Sequence, residues 1–183
     1  RAGRLVVAEG YMDVIALARA GVEEAVAPLG TAVTERQLDL MWRAAEEPVI
    51  ALDGDAAGMR AASRLAGLAL GRLAPGRSLR FAWLPAGMDP DDLLRAEGPA
   101  GVEKVLAGAE PLVEAVWRDA LAGRDLGTPE RRAAFEAEIR RRLKAIPDDA
   151  VRAHYAQAFR EKRDALFRPA RPASGGYGGR GQG

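Results

Sequence analysis

The chain has 183 residues, 48% of them hydrophobic and 29% charged, a balance that fits one compact domain with an appendage and excludes a disordered chain. No apolar run approaches the roughly 20 residues of a membrane span and no secretory leader opens the sequence, so a soluble cytoplasmic protein with no membrane partner is expected. The net charge of +1 hides an asymmetry: residues 1–128 carry 14 Lys and Arg against 19 Asp and Glu, whereas residues 129–168 carry 11 against 7.

"RLVVAEG" is a short apolar run that closes on Glu9 and Gly10, a first strand, and "YMDVIALARAG" then repeats at helical spacing up to a cap at Gly21. "EEAVAPLG" reads as a second strand. "TERQLDLMWRAAEE" opens with Thr34 and Gln37 at capping-box spacing, and Leu38, Met41, Trp42 and Ala45 share one helical face until Pro48 ends it. "PVIALDGD" is a third strand. A helix from about Ala56 to Leu73 follows, with Ala62, Leu65, Ala66, Ala69 and Leu73 as its apolar stripe. "SLRFAWLP" is a fourth strand, leading through Asp89, Pro90, Asp91 and Asp92 into another helix.

Strands that alternate with helices in this way form βαβ units, hence a parallel sheet with helices on both faces. Ligands of such sheets collect at the carboxyl ends of the strands. Glu9 and the Asp53/Asp55 pair both stand there, and they can share an ion only if strands one and three are neighbours. The expected strand order is therefore 2-1-3-4.

From about Gly98 the strands are expected to stop. Breaks at Pro111, Pro129 and Pro147 divide the remainder into helices, with Thr128 and Pro129 as a helix start and Phe135, Ile139 and Leu143 on one face. The division expected is a sheet module over 1–97, a helical subdomain over 98–168 and a disordered, Gly-rich tail over 169–183. His154 and Tyr155 read as packing or surface residues, since no nucleophile motif accompanies them.

With no cysteine and a single histidine, the chain has no thiolate or imidazole cluster, so any metal must be held by oxygen. That selects hard cations such as magnesium, manganese or calcium. Each acid also has a structural explanation, because Asp before a helix is a good N-cap. Three acidic clusters after three different strands are less easily explained by capping alone. Arg outnumbers Lys 24 to 3 in an Ala-rich chain, which looks like coding bias and weakens Arg abundance as a sign of phosphate binding. Arg131, Arg132, Arg140, Arg141 and Arg142 could still contact a nucleic-acid backbone, or form a solvated helix face.

The segments "VVAEGYMDVIALARAGVEEAVAPLGTAVTERQL", "VIALDGDAAGMRAA" and "LRFAWLPAGMDPDDLL" resemble the Toprim module of bacterial DnaG-type DNA primases. The resemblance runs to about Phe167 and implies metal-dependent nucleotidyl transfer, in which a primer 3′-hydroxyl attacks the α-phosphate of an incoming ribonucleotide. It implies Glu9, Asp53 and Asp55 as catalytic metal ligands and Asp89 and Asp91 as ligands of another ion. Asp13 would be accessory, orienting Gly10 or a water, and Gly54 and Gly58 would let a phosphate approach the backbone. The cofactor implied is magnesium or manganese, two or more ions. Zinc is expected only in an N-terminal domain that this chain lacks. The partners implied are a single-stranded DNA template, ribonucleoside triphosphates and, through an absent C-terminal domain, the replicative helicase, with the chain itself a monomer at the bacterial replication fork. The first residue is not Met, and the basic subdomain that the family places ahead of the first strand is missing, so the chain reads as a piece of a longer enzyme, weak or inactive alone. Alternatives are a Toprim nuclease or topoisomerase, a haloacid-dehalogenase-type phosphatase, and a non-catalytic piece that docks replication partners. A type I topoisomerase would need a catalytic tyrosine setting that Tyr11, Tyr155 and Tyr177 do not have, and the phosphatase would need a nucleophile on the first strand and a later Lys, whereas Lys104, Lys144 and Lys162 all fall on apparent helices.

Overall fold

The computed structural model describes residues 3–28 and 32–168. Its elements run β1 Val6–Val7, α1 Tyr11–Arg19, β2 Ala25–Val26, α2 Glu35–Ala44, β3 Val49–Leu52, α3 Ala56–Leu70, β4 Arg80–Trp83, α4 Pro90–Ala107, β5 Glu110–Pro111, α5 Leu112–Leu121, α6 Pro129–Ala145 and α7 Asp149–Leu166. The strands form one sheet of order β2-β1-β3-β4-β5. The first four are mutually parallel, with Val6 beside both Ala25 and Val49, and Ile50 beside Phe81.

The expected order 2-1-3-4 is present, but the sheet is mixed and has one more strand than expected. β5 pairs antiparallel with β4, Glu110 opposite Phe81 and Pro111 opposite Arg80. Two residues give no readable periodicity, and proline usually argues against a strand; here it is tolerated because β5 is an edge. The edge is fastened by side chains. Trp83 Nε1 donates to Glu110 Oε1 at 2.7 Å, and Arg80 donates to the Ala109 carbonyl at 2.6 Å.

Side chains alternate across the sheet and divide the core in two. Val7, Ile50, Leu52, Leu79 and Phe81 point to the face covered by α2, α3 and the later helices. Val6, Ala8, Ala51, Ala82 and Leu84 point to the face covered by α1 and α4. Each large apolar side chain buried here contributes about 1.5–3 kcal/mol of transfer free energy before entropy is charged against it. The helix stripes read from the sequence are the buried ones: Leu38, Met41, Trp42 and Ala45 on α2, and Ala62, Leu65, Ala66, Ala69 and then Leu73 from α3 onward. The Thr34–Gln37 capping box forms, Thr34 N–H donating to Gln37 Oε1 at 2.9 Å and Gln37 N–H to Thr34 Oγ1 at 3.3 Å.

α4 runs past residue 97 and kinks at Gly98, whose φ of 69° and following Pro99 interrupt the helical hydrogen bonding. The later helices share the sheet's core. Leu112, Val116 and Trp117 of α5 join the cluster of Ile50 and Phe81, and Trp117 meets Phe135 of α6 edge-on with ring centroids 5.2 Å apart. Thr128 caps α6 by accepting from Arg131 N–H at 3.3 Å. The tail expected over 169–183 lies outside the described residues.

Candidate metal centre

Glu9 follows β1, Asp53 and Asp55 follow β3, and Asp89 follows β4, so three adjacent parallel strands deliver their acids to one edge of the sheet. Two of these acids are helix caps. Asp55 Oδ1 accepts from the Ala57 and Gly58 N–H groups, both at 2.8 Å, and Asp89 Oδ1 accepts from Asp92 N–H at 2.8 Å. Capping and ion binding are compatible, since each cap uses one carboxylate oxygen and leaves the other. Asp13 Oδ2 accepts from Gly10 N–H at 2.9 Å, which holds the turn after Glu9.

The electrostatics show that these groups share one field. Burial pushes the Glu9 carboxyl above its ordinary range, and Asp53, Asp13 and Asp55 push it further, against a smaller opposing pull from Arg64. Asp53 is raised likewise, by burial first and then by Asp13, Asp55 and Asp89. Like charges held together with only a minor opposing pull are what a bound cation would relieve. Among the described residues, no three acidic, His or Cys side chains converge into a closed ion cage. The donor set nonetheless suits a hard divalent cation. Such ions keep several waters and need only one or two carboxylates plus substrate phosphates, and every donor here is oxygen.

Asp91 stands apart. It is bound to Arg19 at 3.0 Å and also pairs with Arg95, so its charge is already neutralised. Gly54 and Gly58 both pack against the protein's own backbone on the side where a side chain would stand. A Cβ on Gly54 would meet the Leu84 carbonyl oxygen at 2.4 Å, and one on Gly58 the Asp53 carbonyl oxygen at 2.2 Å. The protein's own backbone fills both spaces. The five arginines of α6 do not form a free cationic stripe. Arg142 binds Glu138 and Asp119, Arg141 binds Glu138, Arg131 pairs with Asp125, Arg140 lies 3.7 Å from Glu136, and Arg132 donates to the Leu126 carbonyl and covers the Phe167 ring. His154 is exposed and Tyr155 packs edge-on against Phe159.

One residue beside Glu9 was missed from the sequence. Arg64 of α3 lines a cleft of about 490 Å³ that Glu9 also lines. Its place on α3, nine residues beyond Asp55, was the available signal, masked by the abundance of arginine throughout the chain.

Parallel strands with Glu after the first and D-x-D after the third resemble a Toprim-type module. A family model described as Toprim-like matches residues 6–94, and a second, described as the DnaB-helicase binding domain of primase, matches residues 116–162. The DNA primase of Rickettsia felis is 38% identical over 157 residues, covering 86% of this chain and 26% of that protein. The Escherichia coli primase catalytic core superposes with a TM-score of 0.81 at 38% identity, over 88% of this chain and 51% of that one. A DnaG primase catalytic domain bound to single-stranded DNA gives a TM-score of 0.80 at 37% identity, over 88% of this chain and 53% of that one. Together these similarities support a fragment of DnaG primase type. The chain spans about a quarter of the length of the curated relatives it matches. The second match runs from within α5, through α6, into α7.

Proposed function

We propose that this chain carries the metal-binding catalytic module of a bacterial DNA primase, an RNA polymerase that lays short primers on single-stranded DNA from ribonucleoside triphosphates. The observation that carries the reading is the shared field of Glu9, Asp53, Asp55 and Asp89 at one sheet edge, with Glu9 and Asp53 both raised by burial and by neighbouring carboxylates. Residues 1–97 hold this centre, and residues 98–168 add a helical unit that buttresses the α3 face.

Magnesium or manganese, as two or more ions, would lower the pKa of the primer hydroxyl and neutralise the leaving pyrophosphate. Glu9, Asp53 and Asp55 are the residues to hold them, and Asp89 is the acid to hold a further ion or its waters. Asp91 joins only by exchanging Arg19 and Arg95 for a cation. Asp13 keeps the turn after Glu9 in place through the Gly10 N–H. The backbone packing of Gly54 and Gly58 fixes where Asp53 and Asp55 leave the strand, so the carboxylates are positioned before any ion arrives.

Single-stranded DNA as template is supported by the DNA-bound relative, and a replicative helicase as partner by the DnaB-binding family model. The proposed setting is the bacterial replication fork, in the cytoplasm; no helix among the described residues is long and apolar enough to cross a membrane. The test is manganese titration of the chain, followed by primer synthesis in the longer parent protein. Asp53→Asn should weaken manganese binding and cut priming by about a hundredfold or more, as loss of a charge-stabilising group does elsewhere. Priming unchanged by Asp53→Asn would overturn the reading.

A further inference from the structure

The cleft beside Glu9 has one acidic wall and one basic one. Val7, Ile50, Leu52, Leu65 and Leu68 make much of its lining apolar, and Glu9 and, from α3, Arg64 line it as well. Several other arginines of the chain are committed. Arg72, further along the same helix, binds Glu35 and Asp39, and Arg19 and Arg95 bind Asp91. Arg64 has no ion pair or hydrogen bond among the described residues and is exposed. An unpaired guanidinium next to an acidic edge that would attract a divalent cation offers a two-point grip on a polyphosphate. The cation takes some of the oxygens and the planar fork takes others. The cleft is large enough for the rest of a nucleotide, whose base and sugar suit an apolar floor.

We propose that Arg64 is a positioning residue that binds the phosphates of a nucleoside triphosphate, holding it in this cleft beside the carboxylates. The inference rests on the proposed metal centre but can fail independently of it.

Calorimetric titration of the chain with manganese alone, ATP with manganese, ATP alone and adenosine tests it, with thermal unfolding as a control on folding. Arg64→Gln should lower ATP–manganese affinity by about ten- to hundredfold, the loss expected for a charge-assisted hydrogen bond, and leave adenosine binding unchanged. It should leave manganese affinity equal or higher, because a positive charge beside the carboxylates has gone. Arg64→Lys should restore part of the affinity. A merely structural arginine would instead weaken manganese and ATP together and lower the unfolding temperature, which would overturn the inference. So would ATP binding untouched by Arg64→Gln, or manganese binding with no ATP binding in the unsubstituted chain, and either leaves the metal reading standing. Arg64-dependent ATP binding without any manganese binding supports the inference and sinks the metal reading.

Discussion

Gly58 lies so close beneath Asp53 that a Cβ on it would meet the Asp53 carbonyl oxygen at 2.2 Å. The first turn of α3 is thus packed directly onto the backbone of its own D-G-D junction, while Asp55 caps the same turn. Gly58→Ala should gain up to about 1 kcal/mol of helix propensity but lose about 1–3 kcal/mol to overpacking against backbone, which cannot rotate away. Gly67 of the same helix has nothing within 4 Å of where its Cβ would be. Gly67→Ala should therefore stabilise the chain by about 0.5–1 kcal/mol while Gly58→Ala destabilises it and weakens manganese binding. Urea unfolding of the two variants separates local propensity from the junction's packing; equal effects would refute the close approach.

Glu9 and Asp53 give a pH signature with a definite sign. Both have carboxyl groups raised above their ordinary range in the folded chain, by burial first and then by neighbouring acids. Their contribution to stability is therefore present at pH below the ordinary carboxylate range and is lost as pH rises through the raised folded values. Without metal, Asp53→Asn or Glu9→Gln should make the protein more stable at neutral pH, and the difference should vanish near pH 3. Added manganese should reverse the order at neutral pH, because only the unsubstituted protein recovers its full binding energy. Thermal unfolding at the two pH values, with and without manganese, checks both halves.

Much of this arrangement was legible because it depends on strand ends and helix stripes. Glu9, Asp53 and Asp89 follow apolar runs, and requiring the first two to share an ion places strands one and three side by side, as the sheet has them. β5 was not legible, because two residues including Pro111 carry no alternation and their pairing depends on Trp83 and Arg80, far away in sequence. Gly54 and Gly58 were marked as significant, but their role needed the third dimension. Only the fold shows that the Leu84 and Asp53 carbonyls occupy the space a side chain would take. Asp91 looked like Asp89 in the string "DPDD"; the difference lies in Arg19, brought alongside by the packing of α1 on α4.

Arg142 should prove structural. Its guanidinium donates to Glu138 at 2.7 Å, to Asp119 at 2.6 Å and to the Val116 carbonyl at 3.1 Å, tying α6 to α5. Burial alone would raise the Glu138 carboxyl, but hydrogen bonds from Arg141 and Arg142 outweigh it and hold the carboxyl below its ordinary range. A lowered carboxyl contributes stability that is present above its unfolded value and lost as pH falls through the folded one. Arg142→Ala should cost about 1–3 kcal/mol at neutral pH and less in acid, whereas replacing exposed Arg140 should cost well under about 1 kcal/mol. Urea unfolding at two pH values measures both; equal effects would return these arginines to the category of a solvated helix face.

The last prediction concerns what these 183 residues do alone. Glu9, Asp53, Asp55 and Asp89 all stand at one edge of the sheet, whose two faces are packed by helices on either side, so manganese should bind to the isolated chain, weakly, and Asp55→Asn as well as Asp53→Asn should reduce it. Holding a template is a separate requirement. Residues 1–128 carry 19 acids against 14 bases, and the α6 arginines that could offset them are engaged with Glu138, Asp119, Asp125 and backbone carbonyls. Such a surface repels a polyanion unless metal screens it. The chain also spans only about half of the solved catalytic cores it resembles. Positioning of reactants supplies about 7–11 kcal/mol of barrier reduction when geometry is well held, so a metal centre without a template grip forfeits most of its rate. Primer synthesis on single-stranded DNA by this chain should therefore be undetectable, with manganese binding intact. Extending the chain within its parent protein should restore synthesis without changing manganese affinity by more than about tenfold. Robust priming by the 183 residues alone would show that the template is held by the helical unit after all.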